Sequence, residues 1–373
     1  MRIAQIAPLI ESVPPQLYGG TERVVSYLTE ELVRQGHDVT LFASGDSATD
    51  AELVPCAPRA LRLDPMMRDP LPHYMVMLDR VRRRAHQFDV LHFHIDYLHF
   101  PLFRDLATRT VTTQHGRLDL PDLPVVYQAF PRYPLVSISN HQRLPCPGWN
   151  WLRTVHHGLP EQLYAFPSKP RDGYLAFLGR ICPEKRPDHA IEIARRAGVK
   201  LKIAAKVDRV DQTYFDDVIR PLIRHPLIEF VGEIADYDKA AFLGGALGLL
   251  FPLDWPEPFG LVMIEAMACG TPVIAYRCGS VPEVIEDGLT GFMVEDIEGA
   301  IDAVHRLEEL DRVRIRRRFE QRFAARRMAD DYLRVYGLRT RMALPRTQSL
   351  LVYGNEQLEP GMDHDQRRSV TAA

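Results

Sequence analysis

The stretch Glu257-Pro258-Phe259-Gly260-Leu261-Val262-Met263-Ile264-Glu265 stands between two apolar runs that have the length of buried strands. These runs are Leu247 to Phe251 and Val273 to Tyr276. Between them we predict a helix from Phe259 to Ala268, because a proline-rich turn precedes it and a glycine follows it. A strand, a helix and a second strand in this order are typical of an open parallel sheet. The alternation recurs along the chain, so the sequence predicts an α/β protein with doubly wound parallel sheets.

The start of this helix predicts an anion site. Amides at a helix N-terminus have no partner within the helix, and here they belong to Gly260, Leu261 and Val262. Together with the helix dipole they attract an anion such as phosphate. Glu265 leans back toward the N-terminus and Glu257 stands at its lip, and carboxylates accept hydrogen bonds from hydroxyls. The stretch therefore indicates a phosphate joined to hydroxyl-rich groups. The alternative is one surface glutamate and one satisfied buried glutamate.

Two basic side chains follow another predicted strand, Tyr174 to Leu178. They are Arg180 and Lys185, in the segment Gly179-Arg180-Ile181-Cys182-Pro183-Glu184-Lys185-Arg186-Pro187. Ligands of open α/β sheets bind beyond the carboxyl ends of the strands, so both cations are expected beside the anion site. Each charge-assisted hydrogen bond to a diphosphate would contribute about 1.5–3 kcal/mol. The alternative is a loop of solvated charges.

Length and composition indicate a soluble globular protein with two domains. The chain has 373 residues and a net charge of −3, and this length exceeds one ordinary core. The small net charge argues against a dedicated nucleic-acid binder. The five cysteines include no CxxC pair, which favours reduced thiols in the cytoplasm. No window reaches about 20 apolar residues, so we predict neither a membrane-spanning helix nor a signal peptide.

The periodic pattern starts twice, which predicts two Rossmann-like domains at residues 1–158 and 159–317. A helix at about 318–336 is expected to pack back on the first domain, and the polar tail 344–373 is expected to be poorly ordered. The last helical region is rich in arginine. We interpret it as a solvated face packed across both domains, with a peripheral contact to the inner membrane face as the alternative.

The first domain has two features at its predicted cleft. Tyr18-Gly19-Gly20-Thr21 joins the first strand to the first helix, either as a close approach of backbone to a ligand or as an ordinary tight turn. His115 ends a strand in a position to face the other domain. The histidines around His92 could suggest a metal, but their spacing fixes no third ligand, so we predict no metal site.

Several motifs together resemble the retaining glycosyltransferases of the GT-B fold, family 4. They are YGGTERVV, GRICPEKRP, VGEI, EPFGLVMIEAMACGTPVIA and GSVPEVIEDGLTGFMV. The resemblance covers roughly residues 1–336, and the EPFG…E run is its most specific motif. Within this family the chain is similar to the subgroup of the avilamycin-pathway glycosyltransferases.

The resemblance implies transfer of a hexose from a nucleotide-diphosphate sugar to an acceptor, with retention of the anomeric configuration. The second domain would hold the donor. Arg180 and Lys185 would bind the diphosphate, Glu265 the ribose hydroxyls, and Glu257 the hydroxyls of the transferred sugar. The leaving phosphate would take the acceptor proton during front-face attack, which explains why no general-base pair is evident.

Further contacts are implied in the same way. The amides of the predicted helix start would bind phosphate and sugar, Ile234 would line the base pocket, and Gly20 would approach the phosphates from the first domain. His115 would contact the sugar near the reacting carbon. The unidentified acceptor would lie near His94, Arg117 and Asn140. Enzymes of this kind need no metal or other cofactor.

One segment departs from the family pattern. Where the family often has a glycine-rich turn, this chain has Ala205-Lys206-Val207-Asp208. Donor contacts at that loop are therefore open, and Lys206 adds a charge. Two other functions stay as alternatives: a nucleotide-sugar 2-epimerase-like isomerase on the same fold, and a non-catalytic sugar-nucleotide binder.

Overall fold

The computed structural model describes residues 1–16, 19–167 and 172–343, and its strands form two parallel sheets. The first sheet contains β1 (Arg2–Ile6), β2 (Asp38–Ser44), β3 (Glu52–Ala57), β4 (Val90–Phe93), β5 (Thr110–Thr113), β6 (Leu135–Ser137) and β7 (Trp151–Thr154). The second contains β8 (Tyr174–Ile181), β9 (Lys200–Val207), β10 (Ile228–Gly232), β11 (Gly248–Phe251), β12 (Val273–Tyr276) and β13 (Gly291–Val294).

Both sheets are doubly wound. The strand orders are β3-β2-β1-β4-β5-β6-β7 and β10-β9-β8-β11-β12-β13. In each sheet the order reverses beside the first strand, so β1 lies between β2 and β4, and β8 lies between β9 and β11. Ligands bind at such a reversal because the flanking helices leave a crevice there. The predicted fold class, two Rossmann-like parallel-sheet domains, is confirmed.

The helices alternate with these strands. Those of the first half are α1 (Gly20–Arg34), α2 (Leu71–Arg84) and α3 (Leu123–Ala129). Those that follow are α4 (Pro187–Ala197), α5 (Gln212–Tyr214), α6 (Arg220–Leu222), α7 (Lys239–Gly245), α8 (Leu261–Ala268), α9 (Val281–Val284), α10 (Ile297–His305), α11 (Arg312–Phe323) and α12 (Ala325–Ala343). Apolar side chains at helical spacing, such as Val24, Leu28 and Leu32 in α1, are buried against the sheets.

Strand β3 was missed because its sequence carries a weak signal. It lies in the polar stretch 45–70 and pairs with β2 at the edge of the first sheet. Its first four residues are exposed or partly exposed, and Pro55 stands within it. An edge strand tolerates proline because it needs no ladder partner on its outer side.

The helical segment from Gln212 to Leu222 is interrupted. A π turn at Phe215–Ile219 separates α5 from α6. Pro221 follows it, and proline lacks the amide hydrogen that a regular helix would use at this point. The local hydrogen-bond pattern therefore widens instead of continuing as an α-helix.

The C-terminal helical region is two helices rather than one. The chain turns at Ala324, whose ψ is 145°, and a backbone bridge joins this residue to Leu159. Helix α11 packs against α8 of the second domain, whereas α12 packs against α1 and β4 of the first. The Tyr336 hydroxyl accepts a hydrogen bond from Gln5 at 3.1 Å and lies 2.7 Å from His92. The part that returns to the first sheet thus begins at Ala325 rather than near residue 318.

Arginines of the last two helices bind backbone carbonyls on both sides of the crossing. Arg316 donates to the carbonyl of Ala268 at 2.6 Å. Arg327 donates to the carbonyls of His156 and His157 at 2.9 and 2.8 Å. These hydrogen bonds hold the helices against the two domains. They occupy part of the hydrogen-bonding capacity of the two guanidinium groups.

Two further predictions concern a membrane-spanning helix and the C-terminal tail. Within the described residues, no helix is long and apolar enough to cross a bilayer. The tail 344–373, Tyr18 and part of the linker, 168–171, lie outside the described residues.

The crossing at Ala324 generates a stability prediction. A Cβ atom at Gly158 would lie 2.5 Å from the carbonyl oxygen of Ala324, so Gly158→Ala must displace one of the two crossing segments. We expect the free energy of unfolding to fall by about 1–3 kcal/mol, measured by denaturant titration. Gly148→Ala is the matched control, because no described atom lies within 4 Å of its Cβ position. Equal stability of the two variants would contradict the close crossing.

Candidate functional site

A cavity of about 390 Å³ lies between the two sheets, at the carboxyl ends of their strands. Both domains contribute to its walls. The predicted donor-side and catalytic residues that line it are Gly20, His115, Arg180, Lys185, Ile234, Glu257, Gly260, Leu261, Val262 and Glu265. Residues from distant parts of the sequence thus surround one space of a size suited to a small organic ligand.

Helix α8 starts at this cavity, at Leu261 instead of the predicted Phe259. Gly260 precedes it with φ 76° and ψ 70°, a left-handed conformation that favours glycine. A Cβ atom here would lie 2.9 Å from side-chain atoms of Phe251 and Met263, so the packing also leaves no room for a larger residue. The amides of the first turn of a helix have no partner within it and can bind an anion.

Helix α1 brings a second N-terminus to the same cavity. It begins at Gly20, and Gly19, Gly20 and Thr21 all line the cavity wall. A Cβ atom built on Gly20 would lie 3.6 Å from the Leu261 side chain, so the first turns of α1 and α8 face each other closely. The positive ends of two helix dipoles therefore act on one space, which favours an anion more than either helix alone would.

Lys185 and Glu257 form an ion pair in the cavity wall. Their side chains are 19% and 14% exposed, so water screens the pair only in part. The Lys185 ammonium also lies 5.3 Å from the centre of the Trp255 ring, within the range of a cation–π interaction. The sequence placed both charged residues at the site but did not show that they are partners. An anion entering the cavity would compete with Glu257 for this ammonium.

A neighbouring loop braces the backbone around Glu257. Gly279 has φ 58°, and a Cβ atom on it would lie 2.6 Å from the Glu257 nitrogen. The Ser280 amide donates to the Glu257 carbonyl at 3.1 Å, and the Ser280 hydroxyl donates to the Phe259 carbonyl at 2.8 Å. The GSVPEV segment, which had no assigned role in the sequence, thus fixes the turn that carries Glu257.

Arg180 lies within β8, in register with Lys206 of β9, and not in the loop after the strand. Its guanidinium is 3.7 Å from Asp208 and 3.6 Å from Asp211. Lys206, which also lines the cavity, is 2.9 Å from Asp208. The loop that departs from the family's glycine-rich turn therefore adds a cation and a balancing carboxylate at the cavity edge.

Glu265 is buried in α8, with 3% of its surface exposed. Its Oε1 accepts hydrogen bonds from Lys239 at 2.9 Å and from Tyr164 at 3.1 Å. Lys239 is 3.2 Å from Asp236, which in turn is 2.5 Å from Arg23 of α1. Arg23, Asp236 and Lys239 also line the cavity, and the sequence analysis missed all three. The helical spacing gave no signal for Arg23, because the whole run from Glu22 to Thr29 is buried in the structure, charged residues included.

His115 lies at the end of a chain of buried polar side chains. Its Nε2 is 2.9 Å from His94 Nδ1, and His94 Nε2 is 2.8 Å from the Gln5 side-chain oxygen. The His115 ring also stacks on His157, with ring centres 5.4 Å apart. Desolvation lowers the pKa of His115 to about 3 and holds the pKa values of His94 and His157 well below their ordinary value. His115 is therefore neutral near neutral pH and contributes hydrogen bonds rather than charge.

The three predicted acceptor-side residues do not line the cavity wall. His94 stands behind the cavity wall, with 3% of its surface exposed. Arg117 faces the second domain, where its guanidinium carbon lies 5.8 Å from the centre of the Trp255 ring. Asn140 donates through its backbone and side-chain nitrogens to Glu283 of the second domain, at 2.7 and 2.9 Å. Arg117 and Asn140 thus occupy the interface between the domains in this structure.

Two family models match the chain. Residues 18–189 match the model described as Glycosyltransferase Family 4, and residues 161–325 match the model described as Glycosyl transferases group 1. The chain is 25% identical over 360 residues to the D-inositol 3-phosphate glycosyltransferase of Mycolicibacterium smegmatis, and this region covers 79% of each chain. It is 34% identical over 160 residues to the enzyme of the same name from Mycobacterium tuberculosis, covering 40% of this chain and 33% of that one.

Solved structures share the fold. The crystal structure of AviGT4, a glycosyltransferase involved in avilamycin A biosynthesis, has a TM-score of 0.69 at 22% identity, covering 92% of this chain and 99% of that one. The structure of HepE from Anabaena, in complex with UDP and glucose, has a TM-score of 0.70 at 18% identity, covering 90% and 99%. The matched family models and the two parallel sheets agree, and the chain contains glycosyltransferase domains of the GT-B fold, a family 4-like region followed by a group 1 region.

Proposed function

We propose that the protein transfers a hexose from a nucleotide-diphosphate sugar to a hydroxyl of an acceptor and retains the anomeric configuration. One observation carries the proposal: two helix N-termini and the cations Arg180 and Lys185 surround the same cavity that contains Glu257 and Glu265. Such a site combines groups for a diphosphate with groups for sugar hydroxyls. The alternatives of an isomerase and of a non-catalytic binder would use the same donor contacts, so the product must decide between them.

The choice of a nucleotide diphosphate is supported by the neighbours. HepE structures contain UDP with glucose, or UDP-glucose. The two mycobacterial relatives are named as glycosyltransferases of D-inositol 3-phosphate. The nucleotide base, the sugar and the acceptor of this protein are separate questions, and a donor screen addresses the first two.

We propose donor roles for residues of the second domain, all of which line the cavity. Arg180 and Lys185 would bind the diphosphate, and the first-turn amides of α8 would bind phosphate and sugar. Glu265 would bind the ribose, while Glu257, placed before the helix, would bind the transferred sugar. Ile234, in the segment before α7, would line the base pocket.

The first domain would complete the donor site. Gly20 would approach the phosphates, since its backbone faces the first turn of α8. His115 would contact the sugar near the reacting carbon. Because the pKa of His115 is about 3, it would act as a neutral hydrogen-bonding group and would not donate a proton near neutral pH.

The chemistry would depend on stabilising the leaving diphosphate. Positive groups fixed before the reaction lower the barrier without reorganising, and the leaving phosphate would itself take the acceptor proton. We propose that Arg180, Lys185 and the helix dipoles do the work that a divalent metal does in other phosphate sites, so that no metal is required. Closure of the domains would exclude water and thereby strengthen these interactions.

A donor screen tests the function. The protein is incubated with UDP-, GDP-, ADP- and dTDP-sugars and a mixture of polyols and sugar acceptors, and nucleotide release and products are followed by NMR. We expect release with one class of donor, a product with the donor's anomeric configuration, and the same rate in EDTA. A free epimerised sugar without an acceptor product would indicate the isomerase. Loss of activity in EDTA would contradict metal independence.

Removal of either cation should impair transfer. We expect Arg180→Ala and Lys185→Ala each to lower kcat/KM by about 10- to 100-fold, since each removes one charge-assisted contact to the diphosphate. Lys200→Ala is the control, because Lys200 lies at the opposite end of β9 in an exposed ion pair with Glu229. Unchanged donor turnover in both cation variants would refute the diphosphate assignment.

Substitution of Glu257 should separate binding from turnover. We expect Glu257→Gln to lower kcat by about tenfold or more while the nucleoside diphosphate still binds, because the contact is to the transferred sugar. Glutamine keeps the size of the side chain and can still accept a hydrogen bond from Lys185. Calorimetry with the nucleotide identified in the donor screen measures the affinity. A loss of nucleotide affinity with the fold intact would contradict this role.

A further inference from the structure

Four charged side chains of alternating sign run along one wall of the cavity. Arg23 Nη1 is 2.5 Å from Asp236 Oδ2, Lys239 Nζ is 3.2 Å from Asp236 Oδ1, and Lys239 Nζ is 2.9 Å from Glu265 Oε1. The two ends of this chain are the most buried, since Arg23 is 5% exposed and Glu265 3%. We call these four residues the charge chain. Each inner member stands between two charges of opposite sign.

The charge chain connects the two domains. Arg23 lies in the first turns of α1, which packs on the first sheet. Asp236 lies in the helical turn before α7, Lys239 is the first residue of α7, and Glu265 lies in α8, and these elements belong to the second domain. The last member, Glu265, is the carboxylate proposed to bind the ribose. An interdomain contact therefore ends on a group of the donor site.

We propose that Arg23 is a positioning residue for the nucleoside part of the donor. The ion pair with Arg23 fixes the position of Asp236, and the ion pair with Asp236 fixes the position of Lys239. Lys239 in turn fixes the orientation of the Glu265 carboxylate. The inference rests on the proposed function and deepens it, because it makes nucleoside binding by the second domain depend on contact with the first. The ligand class is the ribose of a nucleoside diphosphate.

The physical reason lies in the balance of buried charges. A buried charge that its neighbours no longer balance carries a desolvation penalty, so the groups around it rearrange to compensate. Without Arg23, Lys239 would be the cation of the charge chain that balances Asp236. The Lys239 ammonium would therefore move toward Asp236 and away from Glu265. The Tyr164 hydroxyl would then be left to orient a carboxylate that had two donors before.

The test measures nucleoside diphosphate binding with UDP, GDP, ADP and dTDP by calorimetry. Arg23→Met and Asp236→Asn should each weaken the binding of the preferred nucleotide by about tenfold or more. The double variant should bind no more weakly than the weaker single variant, because both substitutions break the same chain. Donor KM should rise in the same proportion while kcat changes little, since the reacting groups are untouched.

Two controls separate positioning from folding. Arg34→Met removes an exposed arginine from the last turn of the same helix and should leave nucleotide affinity unchanged. Arg23→Lys retains the charge and should recover part of the affinity that Arg23→Met loses. Asp236→Asn keeps the volume of the side chain, so the test does not depend on the folding of Arg23→Met alone.

The outcomes distinguish the two levels of the argument. If the wild-type protein binds none of the four nucleotides, the proposed function fails and this inference fails with it. If the wild type binds one of them and Arg23→Met binds it equally well, the proposed function stands and the positioning role is overturned. Losses that add in the double variant would also overturn it, because Arg23 and Asp236 would then act independently.

Discussion

The backbone of Gly260 is the constraint on which the candidate site depends. Its positive φ turns the chain out of the proline-rich segment and into α8 at the cavity wall, and Phe251 and Met263 fill the space that a side chain would need. The turn places Glu257 before the helix and Glu265 inside it, and both residues line the cavity. Any residue with a Cβ atom would shift the helix start and separate these groups.

Charge balance is the second organising feature. Each cation considered for the diphosphate already has a carboxylate nearby: Lys185 pairs with Glu257, and Arg180 lies near Asp208 and Asp211. A buried cation without such a partner would be costly, and in the structure these cations are paired with carboxylates. A bound diphosphate could take over these cations, and the released Glu257 would then be available to sugar hydroxyls. Binding of a diphosphate would thus replace the carboxylate partners of Arg180 and Lys185, and both cations would stay paired.

The sequence predicted the fold and the donor-side cluster because both depend on local patterns. Period-two and helical spacing located most strands and helices, and the position after a strand identified Arg180, Lys185 and the EPFG turn. The edge strand β3 was not predicted, because its exposed face has no apolar pattern. The break at Ala324 was not predicted, because it results from the close packing of Ala324 against Gly158, which is distant in sequence. Arg23 escaped for the same reason, since its partner Asp236 belongs to the other domain.

The two domains touch at both sides of the cavity, and this limits how it can open. Arg23 meets Asp236 on one side, and Glu283 accepts hydrogen bonds from Asn140 and from the His141 amide, at 2.7 Å, on the other. Helices α11 and α12 join the domains behind the cavity. Apolar contacts accompany these polar ones, since the His157 ring lies 4.8 Å from the Phe259 ring between the two domains. A donor that strengthens the charge chain would favour the closed arrangement.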